Sequence, residues 1–300
     1  MLITTLPSAD NLGLIEKMYS CPEIGGARYN VGIRTSLDVA HALARVKDVA
    51  DRYSKKLWID LKGRQLRIAK WADPTYGDIE LNHEIEVELP AKIFFRGNDS
   101  SNIVYVRANR IFVNPDPKYA VGQGQAVNVI GDNLRIKGDF LSELDKEFVE
   151  VGRNLGIHDY MASFFHGSAD AREIKKIDPE ARIVMKIEDI SGLEYVGRHY
   201  SKEKGNLMAA CDDLMINIGK NKTRMIQALE LIVNRDSGAI AASHLFTSLL
   251  NGCLSLTDIS HLKLLCDMGY RNFMLSDSVS HKHFEEAVKL WKDFGEYYNV

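Results

Sequence analysis

Residues 182–188 read RIVMKIE, an apolar run that ends in Lys186 and Glu188. Short apolar runs of this kind suit strands buried on both faces of a parallel sheet. Side chains alternate across a strand, so residues two positions apart point the same way. One reading of the pair is a salt bridge where a strand leaves the core. The other is a functional pair at the mouth of a barrel.

Other short runs end in comparable groups. Arg28 and Asn30 close one, Asp60 and Lys62 another, with Arg67 just beyond. Ser163 and His166, Gly219 and Lys220, Ser243 and His244, and Ser276 and Asp277 close the rest. So much Arg and Lys at one set of strand ends suits a small anionic substrate. Simpler roles stand beside this one. Arg28 could merely pair with Asp60, Asn30 could form a turn, and Ser243 and His244 could be ordinary polar residues at a strand end. Met215, Met225 and Met274 read as core.

The elements that must position these groups alternate from the start of the chain. LITT (2–5), ARYNV (27–31), LWIDL (57–61), DYMASF (159–164), RIVMKIE (182–188), DLMINI (213–218), AIAAS (239–243) and NFMLS (272–276) read as strands. A helical pattern follows each; after the second strand, Val39, Leu43, Val46 and Ala50 recur at helical spacing. Asp10, Ser36, Ser142 and Ser255 stand where helix caps belong. Between about Arg64 and Asp139 the helical period vanishes. Alternating runs such as IEVELPAKIFF and NIVYVRANRIFV are separated there by the turn segments GNDSSN, NPDP and VGQGQ. The fold expected is α/β: a (β/α)8 TIM barrel from 1–63 and 140–300, with a small all-β domain, 64–139, inserted after strand three. VGQGQA lacks a third glycine and a following helix, so it is a turn and not a dinucleotide fingerprint.

At 300 residues, with 45% hydrophobic and 26% charged, the chain has ample material for a packed core. A net charge of -3 without a long basic cluster argues against a nucleic-acid partner. Cys21, Cys211, Cys253 and Cys266 show no CxxC spacing and read as buried free thiols of a reducing compartment. No run approaches the roughly 18 apolar residues of a membrane span. A cytoplasmic protein with no membrane partner is the expectation.

The residues also resemble a family, the pyruvate kinases, collinearly along almost the whole chain. TLPS resembles the family's TIGPAS, ARYNVG its ARLNFSHG, and IDLKGRQLR its LDTKGPEIR. LSELDKEF is similar to its SEKD segment, and MASFFHGSADAREIKKI to its SFVR…DV…VR segment. VMKIEDISG is similar to KIEN..G, DDLMINIG to DGIMVARGDLG, and FMLSDS to VMLSGET. The inserted segment matches the family's mobile β-domain in shortened form. A relative lacking the family's C-terminal regulatory domain is the expectation.

The resemblance implies phosphoryl transfer between phosphoenolpyruvate and ADP at the barrel mouth. Lys186 matches the catalytic lysine, Arg28 the phosphate-binding arginine and Arg67 a substrate or nucleotide contact. Ser243 falls at the threonine near the proton path to the enol. Glu188 matches one carboxylate ligand of Mg2+. Asn30 and Asp60 match half of a monovalent-cation site, whose other half is lost to Gly32 and Leu61. His166 replaces an arginine, His244 a glutamine, and FMLSDS lacks a glutamate. The family's second metal carboxylate lies in GDLG, where this reading places Gly219 and Lys220. A lysine supplies no oxygen ligand and repels a cation. Lys220 is therefore expected beside Glu188, in the place of Mg2+, with anion binding kept and kinase activity weak or absent. Two alternatives follow: a catalytically impaired paralogue that binds an anionic ligand or partner, and a lyase or aldolase of the phosphoenolpyruvate/pyruvate superfamily.

Overall fold

The computed structural model describes residues 1–96 and 99–298; Gly97 and Asn98 of the GNDSSN turn lie outside them. The first stretch runs β1 (Leu2–Thr5), α1 (Leu12–Ser20), β2 (Ile24–Asn30), α2 (Val39–Arg52) and β3 (Lys56–Leu61). Strands alone follow among the described residues: β4 (Ile79–Glu80), β5 (Ile85–Glu86), β6 (Ala91–Arg96), β7 (Asp99–Arg107), β8 (Arg110–Asn114), β9 (Asn128–Ile130) and β10 (Arg135–Ile136). The alternation resumes with α3 (Glu143–Asn154), β11 (Asp159–Ala162), α4 (Ser168–Ile177), β12 (Arg182–Ile187) and α5 (Ile190–Arg198). It ends with β13 (Asn206–Ala210), α6 (Cys211–Asn217), α7 (Met225–Arg235), β14 (Ile240–Ala242), α8 (Leu256–Met268), β15 (Asn272–Met274), α9 (Asp277–Lys282) and α10 (Phe284–Tyr298).

Eight of the strands close a parallel barrel in the order β1-β15-β14-β13-β12-β11-β3-β2. A buried cluster of Ile3, Trp58, Met161, Val184, Met208, Ile240, Ala242 and Met274 draws on every barrel strand but β2. There Gly26 takes the place of a side chain: a Cβ on it would stand 2.5 Å from Trp58 Cζ3. Residues two positions further along face the same way. Trp58 is thus followed by Asp60 and Lys62, Val184 by Lys186 and Glu188, and Met161 by Ser163. A polar layer sits on an apolar one, which is how such a barrel separates its core from its site.

The compact units are Met1–Lys62 with the chain from Leu141 onward, and Gly63–Phe140. In the second, β4-β8-β7-β6-β9 form one antiparallel sheet and β10-β5 a two-stranded one. Its own core includes Leu66, Ile79, Leu81, Ile93, Ile103 and Ile111. No helix among the described residues is long and apolar enough to cross a membrane.

The sixth barrel strand differs from expectation. Residues 213–217 are helical and belong to α6, with Ile218 as its C-cap; the strand is Asn206–Ala210. Its Leu207, Met208, Ala209 and Ala210 are buried, and its register is fixed on both sides by β12 and β14. The paired Ile residues of DLMINI carry the higher strand propensity, and packing overrides it. Asp212 and Asp213 sit in the first turn of α6, where carboxylates complement the helix dipole.

Smaller corrections follow. Ser142 and Ser255 do cap α3 and α8. Asn11 and Asp38, not Asp10 and Ser36, cap α1 and α2. Asp10 instead accepts from the Ser36 amide and hydroxyl at 2.9 and 2.6 Å. The four cysteines are free; Cys211 and Cys266 are buried, but Cys253 is exposed. Met274 is core, whereas Met215 is exposed.

Candidate functional site

Asp60 is the centre of the polar layer. Its carboxylate is buried and accepts from three cations: Lys186 Nζ at 3.2 Å, Lys62 Nζ at 3.2 Å and Arg28 Nη1 at 3.4 Å. Burial alone would raise its pKa. Lys186, Lys62 and Arg28 together outweigh burial and hold it below the usual carboxylate range.

Lys186 rises from β12 into three oxygen-bearing partners, hydrogen-bonding two of them and ion-pairing with the third. Besides Asp60 these are Ser163 Oγ at 2.7 Å and Glu188 Oε1 at 3.1 Å. Burial would pull its pKa down; Asp60 and Glu188 raise it above the ordinary lysine value. The ammonium is therefore charged and fixed in direction.

Glu188 is equally buried. Its Oε2 accepts from the Phe164 amide at 2.6 Å, an amide aimed by a left-handed backbone at Phe164 (φ 48°). Burial raises its carboxyl to about 7; Lys186 opposes the rise, and the charges of Asp213 and Asp60 add to it. Asp213 also acts on Lys186. Asp213, in the first turn of α6, thus places a negative charge within electrostatic range of both residues.

Arg28 bridges two carboxylates. Its Nη2 binds Asp277 Oδ1, and its Nε donates to Thr5 Oγ1 at 3.1 Å. Asn30 donates to Asp277 Oδ2 at 3.4 Å and accepts from the Gly32 amide at 2.9 Å. Asp277 opens α9, the helix that follows strand β15, and its side chain is 46% exposed.

Of the residues singled out from the sequence, Arg28, Asn30, Asp60, Lys186 and Glu188 come together in the barrel. Arg67 belongs to the β unit, where its guanidinium donates to Gln65 Oε1 and the Gly124 carbonyl, each at 2.6 Å. Gly219 and Lys220 do not end the sixth strand. They lie between α6 and the short turn Lys222–Arg224, and Lys220 is exposed. Lys186 Nζ is a cation beside Glu188, 3.1 Å from its Oε1. Ser243 directly follows β14 with a left-handed backbone (φ 64°), and the hydroxyl on Lys186 is that of Ser163. His166 Nε2 pairs with Asp189 at 2.7 Å.

Sequence reasoning missed Asp212 and Asp213. The available signal was the acidic pair one residue after the apolar run NLMAA. Among the described residues no group of three or more His, Cys, Asp or Glu is arranged to hold a metal ion. Asp213 acts on Glu188 through its charge.

No family model matches the chain, and no curated protein matches it.

Proposed function

We propose that the barrel mouth binds a small phosphorylated carboxylate of the phosphoenolpyruvate type and transfers its phosphoryl group to ADP. The observation that carries this is the buried, fully charged Lys186 held between Asp60, Ser163 and Glu188. A fixed cation in a site of low dielectric stabilises charge on transferring oxygens without reorganising. Arg28, with its planar fork, suits the phosphate or carboxylate of the same substrate. Asp60 keeps both cations in place and keeps Lys186 protonated.

In the resembled family the second metal carboxylate follows the sixth strand; with that strand at Asn206–Ala210, Asp213 in the first turn of α6 is the candidate for that role. Glu188 and Asp213 would hold Mg2+. Magnesium takes one or two protein carboxylates and completes its shell with water and phosphate oxygens. It would supply neutralisation of the phosphoryl charge. Glu188 is oriented for that by the Phe164 amide.

A second reading, an anion-binding paralogue with impaired catalysis, has one observation in its favour. Arg28 is already bound by Asp277 and Asp60, so a carboxylate of the chain itself occupies the arginine. A coupled assay for ATP formation from phosphoenolpyruvate and ADP, with and without Mg2+ or Mn2+, separates the two. Metal-dependent ATP formation that Lys186→Ala abolishes is the expected result. Binding of phosphoenolpyruvate without any ATP formation would replace the first reading with the second.

A further inference from the structure

His244 and Asp212 form a pair that neither the charge cluster nor the family resemblance uses. Strands β13 and β14 pair in parallel with Ala210 opposite Ala242. Asp212 and His244 each lie two residues past that level, on neighbouring strand ends. His244 Nε2 stands 2.7 Å from Asp212 Oδ1, and both side chains are about half exposed, at 49% and 48%. Both follow the C-terminal ends of barrel strands, β13 and β14, and the adjacent Asp213 acts by its charge on Lys186 and Glu188.

The segment carrying His244 is held in an unusual conformation. Ser243, His244 and Phe246 all take left-handed backbone angles, at φ 64°, 54° and 54°. Non-glycine residues keep such angles only where their surroundings impose them. Just downstream, Asp258 of α8 anchors the chain: it accepts from the Ser248 amide at 3.1 Å and from the Ser248 hydroxyl. The His261 ring, also on α8, meets His244 edge to face at 6.1 Å. Asp212 raises the pKa of His244 against the effect of burial, with Asp258 adding to the rise. The His261 pKa is lowered, chiefly by burial and then by His244.

We propose that His244, oriented by Asp212, transfers the proton between solvent and the substrate carbon at this mouth; this rests on the phosphoryl-transfer reading. With Nε2 committed to Asp212, Nδ1 is the exchanging atom. Loss of the phosphoryl group leaves the enolate of pyruvate. In the step that follows, the Nδ1–H bond breaks and a C–H bond forms at the terminal methylene carbon. The C=C electron pair becomes that C–H bond, an oxygen lone pair closes the C=O bond, and the neutral imidazole is reprotonated by water. In reverse, neutral His244 takes a methyl proton of pyruvate. Asp212 acts through His244 and is a positioning residue.

The test is deuterium incorporation into the methyl group of pyruvate in D2O, followed by proton NMR. Wild type exchanges, and His244→Gln slows exchange by about 100-fold or more, with phosphoenolpyruvate affinity by calorimetry retained. Exchange in the wild type rises with pH as His244 loses its proton, and Asp212→Asn moves that rise to lower pH. Exchange at the wild-type rate in His244→Gln overturns the proposal. So does a wild type that makes ATP and leaves the methyl protons in place, a result that keeps phosphoryl transfer intact. Exchange that depends on His244 without ATP formation supports the proton-transfer role and overturns phosphoryl transfer.

Discussion

Lys186 Nζ lies 3.2 Å from Asp60 Oδ1, although 126 positions separate the two residues in the chain. Both are almost wholly shielded from water. Removing one partner of such a pair leaves the other charge buried and uncompensated, at a cost of about 3–5 kcal/mol. Asp60 serves three cations, so Asp60→Ala is expected at the upper end of that range, with Lys186→Met costing less. Urea unfolding at neutral pH measures both.

The two buried carboxylates act in opposite directions on stability as pH changes. Glu188 keeps its proton to about pH 7 in the folded chain, against an ordinary value of 4.5. The folded state binds more protons across that window, so stability falls as pH rises through it, by about 3 kcal/mol. Asp60 titrates below its ordinary 3.8, so its contribution is present above that value and is lost as pH falls below it. Unfolding in EDTA from about pH 5 to about pH 8 should show the first slope in wild type and a flattened one in Glu188→Gln. An unchanged slope in the variant contradicts the assignment.

Asp277 competes with any anion for Arg28. Its side chain is 46% exposed, so solvent screens the pair. About 0.5–1 kcal/mol is then a fair value, or about two- to fivefold in affinity. Asp277→Asn is expected to bind phosphoenolpyruvate tighter by that factor in calorimetry. Weaker binding would mean that Asp277 supports the site instead of blocking it.

Gly205 sets the start of the sixth strand. Its φ is 135°, and a Cβ there would stand 2.2 Å from the Ile183 carbonyl oxygen. That atom is backbone and has no rotamer with which to yield. Gly205→Ala is expected to cost at least about 1–3 kcal/mol and to displace β13, and with it Asp213. Thermal unfolding reads the first effect and loss of Mg2+-dependent activity the second.

Much of this architecture was legible in the sequence because period and turn chemistry are local. Lys186 and Glu188 sit on a run whose apolar length identifies its strand, and their shared face follows from alternation alone. The sixth strand was not legible. NLMAA is short and carries alanine and methionine, whereas DLMINI carries two isoleucines, so local propensity favoured the wrong segment. Its true register depends on pairing with β12 and β14, which no local pattern reports. That shift displaced the acidic pair from view and put Lys220 in its place. The Arg28–Asp277 contact was hidden for the same kind of reason: it joins β2 to the residue that follows the last strand.

The central claim is that Glu188 and Asp213 complete a divalent-cation site beside Lys186. Calorimetric titration of Mg2+ in the presence of phosphoenolpyruvate tests it most directly, with Asp213→Asn as the comparison. Saturable Mg2+ binding in wild type, largely lost in the variant, is the predicted result. Absence of binding in wild type, or undiminished binding in Asp213→Asn, would contradict it.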